Sequence, residues 1–182
     1  TNAVKVSEFD TCAKLFPIYL TAINGLEICF CQAPLGASAA TQFLDYLISY
    51  GVTEIIACGA CGTLIDLPEN EIVIPVEALR DEGTSYHYLP PRRTVKINNI
   101  ATSAIRKVAS DFGIPNRDCM TWTTDGFYRE TDAMVEYRRN EGCQVVEMEC
   151  AALAACSEFR NATFGQVLYT ADTLVGADGH DD

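Results

Sequence analysis

Two carboxylates stand one residue apart in Val146-Glu147-Met148-Glu149, at the end of an apolar run. Such a pair is costly in a buried segment unless it has partners. In a strand, positions i and i+2 share a face, so Glu147 and Glu149 could address one ligand. Adjacent sugar hydroxyls suit them, because each can donate to a carboxylate oxygen. The competing reading makes Glu149 an acidic charge at the N-terminus of a following helix. Asp172 closes the run Val167-Leu168-Tyr169-Thr170-Ala171. An acid at the end of a buried strand is placed for general acid work; a cap for a following turn explains it equally.

Three further stretches carry chemical potential. Cys58-Gly59-Ala60-Cys61-Gly62 follows a short apolar run, and its glycines would let backbone N–H groups approach an anion or a sugar closely. A plain tight turn is the simpler reading. As a redox motif its first Cys should open a helix, and as a zinc site it lacks a second ligand pair, so no metal is expected. In Thr123-Thr124-Asp125-Gly126-Phe127-Tyr128, Phe127 could stack on a planar base, although aromatic side chains usually belong to a core. The stretch Arg80–Tyr88 is dense in polar and aromatic groups, as befits an active-site wall, a subunit contact or a solvated loop.

The elements that must position these groups follow from periodicity. Ile18–Ile23 and Leu26–Gln32 flank Asn24-Gly25, a strong hairpin signal. Ala40, Phe43, Leu44, Leu47 and Ile48 predict a helix over Ala37–Tyr50. Thr53–Cys58 reads as a strand that stops at Gly59, and Glu71–Pro75 as another. A loop is expected over Arg80–Arg93. Ile100, Ala104, Ile105, Val108 and Phe112 mark a second helix. Cys119–Thr123, Gln144–Met148 and Phe164–Ala171 read as strands, Thr131–Asn140 and Glu149–Phe159 as helices. Strands alternating with helices predict an α/β sheet. Ligands then bind outside the C-terminal strand ends, where Gly59–Gly62, Thr123–Phe127, Glu147–Glu149 and Asp172 all fall.

Composition narrows the partners. Twenty-five acidic against 13 basic side chains give a net charge of −12, which repels nucleic-acid phosphate. No run approaches the roughly 18 apolar residues of a membrane span, and no basic segment with an apolar run opens the chain. The nine cysteines are odd in number and irregularly spaced, which favours reduced thiols and a cytoplasmic location.

Together, Gly59-Ala60-Cys61-Gly62, Phe127 in its Asp-x-Phe-Tyr setting, Val146-Glu147-Met148-Glu149 and Asp172 resemble the superfamily of purine nucleoside phosphorylases, uridine phosphorylases and methylthioadenosine nucleosidases. The resemblance spans Pro17 to Asp172. It implies a single α/β domain over residues 1–182, with a central mixed sheet, helices on both faces, and the family's first strand and terminal helix missing. It implies that Glu149 holds the ribose hydroxyls, with Met148 packed on the sugar and Glu147 nearby. Phe127 would stack on the base, and Asp172 would protonate a purine ring nitrogen. Phosphate, as co-substrate, would then attack the anomeric carbon, with no other cofactor. The implied protein is a homodimer or homohexamer that cleaves nucleosides.

The chain departs from the family at the phosphate. Where phosphorylases carry Arg and Ser/Thr around the glycine turn, it has Ala57 and Ala60, and it lacks the Gly-Asp-Pro-x-x-Arg loop. An anion site would then rest on Gly59, Ala60 and Gly62 with Arg80 or Arg129, or else water replaces phosphate or turnover is lost. Uridine phosphorylases carry Gln and Arg shortly after the aromatic position, where this chain has Glu130–Asp132. They also lack the acid at Asp172, so the expected base is a purine.

Overall fold

A computed structural model describes residues 2–174. The chain divides into two compact units, Thr1–Leu35 and Gly36–Asp182. In the first, β1 (Val4–Asp10), β2 (Leu15–Ile23) and β3 (Leu26–Cys31) form an antiparallel sheet in that order. Asn24 and Gly25 both take positive φ, 52° and 81°, and Ile23 pairs with Leu26. That is the two-residue turn that Asn-Gly favours, because its backbone twist matches the strands it joins.

The second unit holds α1 (Ala37–Ser49), β4 (Glu54–Thr63), β5 (Ile72–Asp81), β6 (Thr94–Lys96), α2 (Asn99–Asp111), β7 (Asn116–Thr124), α3 (Asp132–Asn140), β8 (Val145–Glu147), α4 (Cys150–Phe159) and β9 (Thr163–Thr173). Its mixed sheet has the order β6-β5-β7-β8-β4-β9. β9 also pairs back onto β5, through Ile72 with Tyr169 and Val73 with Leu168. Five strands therefore close on themselves. One buried side chain from each of them, Cys61, Val73, Cys119, Val145 and Leu168, fills the enclosed space.

The helices pack outside this ring. Ala78 and Leu79 are consecutive on β5 and so face opposite ways. Ala78 joins the cluster built from α1 and α4, and Leu79 joins the one holding Val135 of α3. α4 is buried along Cys150–Ser157. Its alanines and cysteines are short enough to let it lie between α1 and the sheet.

Three expectations change. β4 does not stop at Gly59: it runs through Gly59–Gly62 to Thr63. The glycines are strand residues because β9 pairs along them and β8 pairs at Gly62. β5 likewise passes Pro75 to reach Asp81, with an irregularity in its pairing between Pro75 and Glu77 that accommodates the missing N–H. On α2, Ile100 and Phe112 are 74% and 77% exposed, while Ala101, Thr102 and Ala109 are buried. The helix turns its small residues inward because Gly165 of β9 lies directly beneath: a Cβ there would sit 2.9 Å from Ala101 Cβ.

Candidate functional site

The register of the sheet gathers the expected groups into one band. Arg80 pairs with Thr123, Thr123 with Glu147, Val146 with Gly62, and Gly62 with Asp172. Residues 80 and 172 are far apart in sequence, and only the order of the strands brings them to the same row.

Glu147 ends β8 and is fully buried. Its Oε1 accepts from the Thr123 hydroxyl at 2.6 Å and from the Thr121 hydroxyl at 3.2 Å. Its Oε2 accepts from the backbone N–H of Glu149 at 2.7 Å and of Cys150 at 2.6 Å. The carboxylate thus caps the first turn of α4, whose Ala151 N–H bonds to Thr123 Oγ1 at 3.0 Å. Burial pushes its pKa up to about 7, against the pull of these donors, and the neighbouring Glu149 charge adds to the rise. The structure sets Glu147 behind the site, with each oxygen taking two protein donors.

Glu149 occupies the N-cap position of α4 but makes no side-chain cap bond. Its half-buried carboxylate reaches instead to the start of α1, where Oε1 accepts the Gly36 N–H at 2.5 Å. Gly36 has φ 87°, a conformation glycine adopts without strain. Burial raises the pKa of Glu149, and the Gly36 N–H opposes that rise. Met148 lies between the two glutamates and is half-buried.

Asp172 sits beyond a register shift on β9: Cys61 pairs with Thr170, and Gly62 with Asp172. Ala171 is the extra residue of this bulge, a device that re-aims the side chain after it. The Asp172 carboxylate lies against Gly62, where a Cβ would be 3.5 Å from Oδ2. The Cys61 thiol lies beneath. Burial, then the charges of Glu147 and Asp172, push its pKa up to about 12. Cys58 is exposed and Cys61 buried, and both are free, so the Cys-x-x-Cys acts as two separate strand residues.

Phe127 opens a 3-10 turn, Phe127–Arg129, and is 41% exposed, edge-on to Tyr128 at 5.2 Å. The turn is tied down by Asp125, which accepts the Gly83 N–H at 3.0 Å. Arg80 is placed otherwise than an anion ligand on a loop. It lies in β5, is 2% exposed, and gives its guanidinium N–H groups to Ser85 Oγ and the carbonyls of Leu89, Pro90 and Arg92. It braces the following loop from inside, with the Tyr86 ring 4.1 Å away. Arg129 is exposed beside Phe127. Ala57 is half-buried and Ala60 exposed on β4, and neither side chain offers a donor.

Sequence reasoning missed Thr121 and Gly36, and named Thr123 only as the start of a loaded strand end. Two threonines spaced i, i+2 in an apolar run share a face, and a glycine two residues after proline precedes a helix. Those signals exist, but their partners lie 24 to 113 residues away.

A profile of the phosphorylase superfamily matches residues 2–182. The chain belongs to the phosphorylase superfamily. Among curated proteins it is similar to a uridine phosphorylase of Haemophilus influenzae, 27% identical over 122 residues, which are 66% of this chain and 48% of that protein. It is also similar to an uncharacterized protein of Acanthamoeba polyphaga mimivirus, 26% identical over 140 residues, 76% of this chain and 54% of that one. It thus spans about half the length of these relatives. The crystal structure of a uridine phosphorylase from Vibrio fischeri ES114 superposes with a TM-score of 0.84 at 21% identity, covering 93% of this chain and 70% of that one. The expected α/β class and mixed sheet are found, and the fold matches that crystal structure. Among the described residues no helix is long and apolar enough to cross a membrane.

Proposed function

We propose that this chain carries the nucleoside site of a phosphorylase that cleaves the N-glycosidic bond of a purine nucleoside. The observation that carries the reading is the band in which Glu147, Gly62 and Asp172 adjoin, with Glu149 at its edge. Glu149 accepts the ribose hydroxyls, Met148 packs on the sugar, and Phe127 stacks on the base. Asp172 donates its proton to a ring nitrogen as the C1′–N bond breaks, so the base leaves neutral. The sugar gathers positive charge, which the nearby carboxylates offset. A phosphate oxygen then bonds to C1′, giving ribose 1-phosphate with no other cofactor. Assembly as a homodimer or hexamer belongs to the same reading; sedimentation that finds only monomer would remove that part.

Two observations favour other forms of this chemistry. A curated relative and a solved relative are named uridine phosphorylases, which favours a pyrimidine base. Ala57 and Ala60 offer phosphate no side-chain donor, which favours water as the nucleophile. One experiment separates them: base release from inosine, adenosine and uridine, each with and without phosphate, followed by identification of the sugar product. Purine release that requires phosphate and yields ribose 1-phosphate is expected. Uridine cleavage alone moves the assignment to pyrimidines, free ribose makes the protein a nucleosidase, and no release makes it at most a binding protein.

A further inference from the structure

We propose that Glu147 is a positioning residue: it holds the backbone of Glu149 and the first turn of α4, so the geometry of the sugar-facing carboxylate depends on whether Glu147 is ionised. The inference rests on the reading that Glu149 meets the sugar.

An ionised carboxylate is an acceptor only, with about four lone-pair sites. Glu147 meets four donors: the hydroxyls of Thr121 and Thr123 and the N–H groups of Glu149 and Cys150. Ionised, it matches this set in full. Protonated, one oxygen becomes a donor: on Oε1 a threonine hydroxyl can reverse and accept it, but on Oε2 one of the two N–H bonds must give way. Both bonds on Oε2 come from the backbone, at Glu149 and Cys150, so protonation there is felt where Glu149 turns toward Gly36. Thr123 transmits the same change, since its oxygen also receives the Ala151 N–H. One buried side chain therefore controls three consecutive backbone N–H groups, directly or through one hydroxyl.

The surroundings tune this proton. Glu149 raises the proton affinity of Glu147 by its charge. The thiols facing it are Cys61 from β4, Cys119 from β7 and Cys150 from α4, each made harder to ionise by burial first and by the Glu147 charge in addition. Burial then carries Glu147 to about 7, so both protonation states are populated near neutral pH. Sugar binding is expected to strengthen as pH rises through that range.

The test uses the full chain with 13C-labelled glutamate. One glutamate carboxyl should titrate near neutral pH, and its signal should be absent in Glu147→Gln. The amide resonances of Glu149 and Cys150 should move with the same midpoint. A chain with no glutamate titrating above pH 6, or amides that ignore the transition, overturns the proposal. Thr121→Val, which removes one donor to the charged form while keeping shape, should raise the midpoint; an unchanged midpoint counts against the network. In turnover, KM for a ribonucleoside should rise about tenfold or more as pH falls through the midpoint, the scale of one hydrogen bond to a charged group. In Glu147→Gln that dependence should vanish, with kcat changed less. Retention of the wild-type pH profile by Glu147→Gln overturns the proposal. If no nucleoside is cleaved while the carboxyl and amides titrate together, the nucleoside reading fails and the coupling of Glu147 to Glu149 stands.

Discussion

The Asp172 carboxylate rests against the Cα of Gly62, and a methyl group at residue 62 would lie 3.5 and 3.6 Å from its two oxygens and 3.0 Å from Val146 Cγ1. The glycine is required by close approach of three strands rather than by a turn. Gly62→Ala is therefore expected to cost about 1–3 kcal/mol in stability through the tight contact with Val146, the usual range for overpacking, and to lower turnover by setting a methyl group in van der Waals contact with the Asp172 carboxylate. Gly165→Ala makes a comparable clash, 2.9 Å from Ala101 and Ile105, but under α2. It should lose similar stability and keep its kcat. Urea unfolding and steady-state kinetics on both variants check the contrast; equal kinetic losses would mean that residue 62 acts through stability alone.

If Asp172 is the proposed general acid, Asp172→Asn keeps the shape of the side chain and removes the proton it would give to the base. Turnover on purine substrates should fall about 10²–10⁴-fold, the range for a general acid, with substrate binding changed far less. Unchanged turnover would leave Asp172 as a structural residue at the β9 bulge.

Much of this arrangement was legible in the sequence because it is local. Asn24-Gly25 marked its hairpin, and the periodic apolar runs marked α1, α4 and β9. Glu147, Glu149 and Asp172 stood out as acids at the ends of apolar runs. What escaped is what depends on pairing. Two glycines at 59 and 62 are turn signals by composition, yet β8 and β9 hold them in β4. Pro75 looks like a strand end, yet β5, having closed the ring against β9 at Ile72 and Val73, passes it and pairs on with β7 and β6. Arg80 reads as a loop cation, but the carbonyls that consume it come from Leu89, Pro90 and Arg92. The division of labour between the glutamates was hidden for the same reason, since Thr121, Thr123 and Gly36 reach them from other elements.

The raised pKa of Glu147 carries a stability consequence with a definite sign. The folded chain holds the Glu147 proton up to about pH 7, above the ordinary 4.5 of an unfolded glutamate. The folded state therefore binds more protons between those values. Its extra stability is complete below the unfolded pKa and is lost as pH rises through the folded one. The loss is on the order of 3 kcal/mol across that window. Glu147→Gln has no such proton, so its stability relative to wild type should improve from pH 5 to pH 8. Urea unfolding of both proteins across this range checks it; a difference independent of pH would place the Glu147 pKa near its ordinary value.

Glu149 supplies the sharpest test of the sugar site. The first N–H groups of α4 are taken by Glu147 and Thr123, so helix capping does not explain the Glu149 carboxylate. It accepts the Gly36 N–H. If it also accepts the ribose hydroxyls, each such bond is worth about 1.5–3 kcal/mol. Removing the 2′-hydroxyl should then lower kcat/KM by about 10–100-fold in the wild type, the equivalent of that energy. In Glu149→Gln the same removal should matter less, because the charged acceptor is already gone. The two changes should be non-additive, as for groups in direct contact. A carboxylate that serves only Gly36 gives a different pattern: a stability loss at the start of α1, and sugar and side-chain changes that simply add. Measuring kcat/KM for a ribonucleoside and its 2′-deoxy analogue, on both proteins, decides between them, and strict additivity would move the sugar away from Glu149.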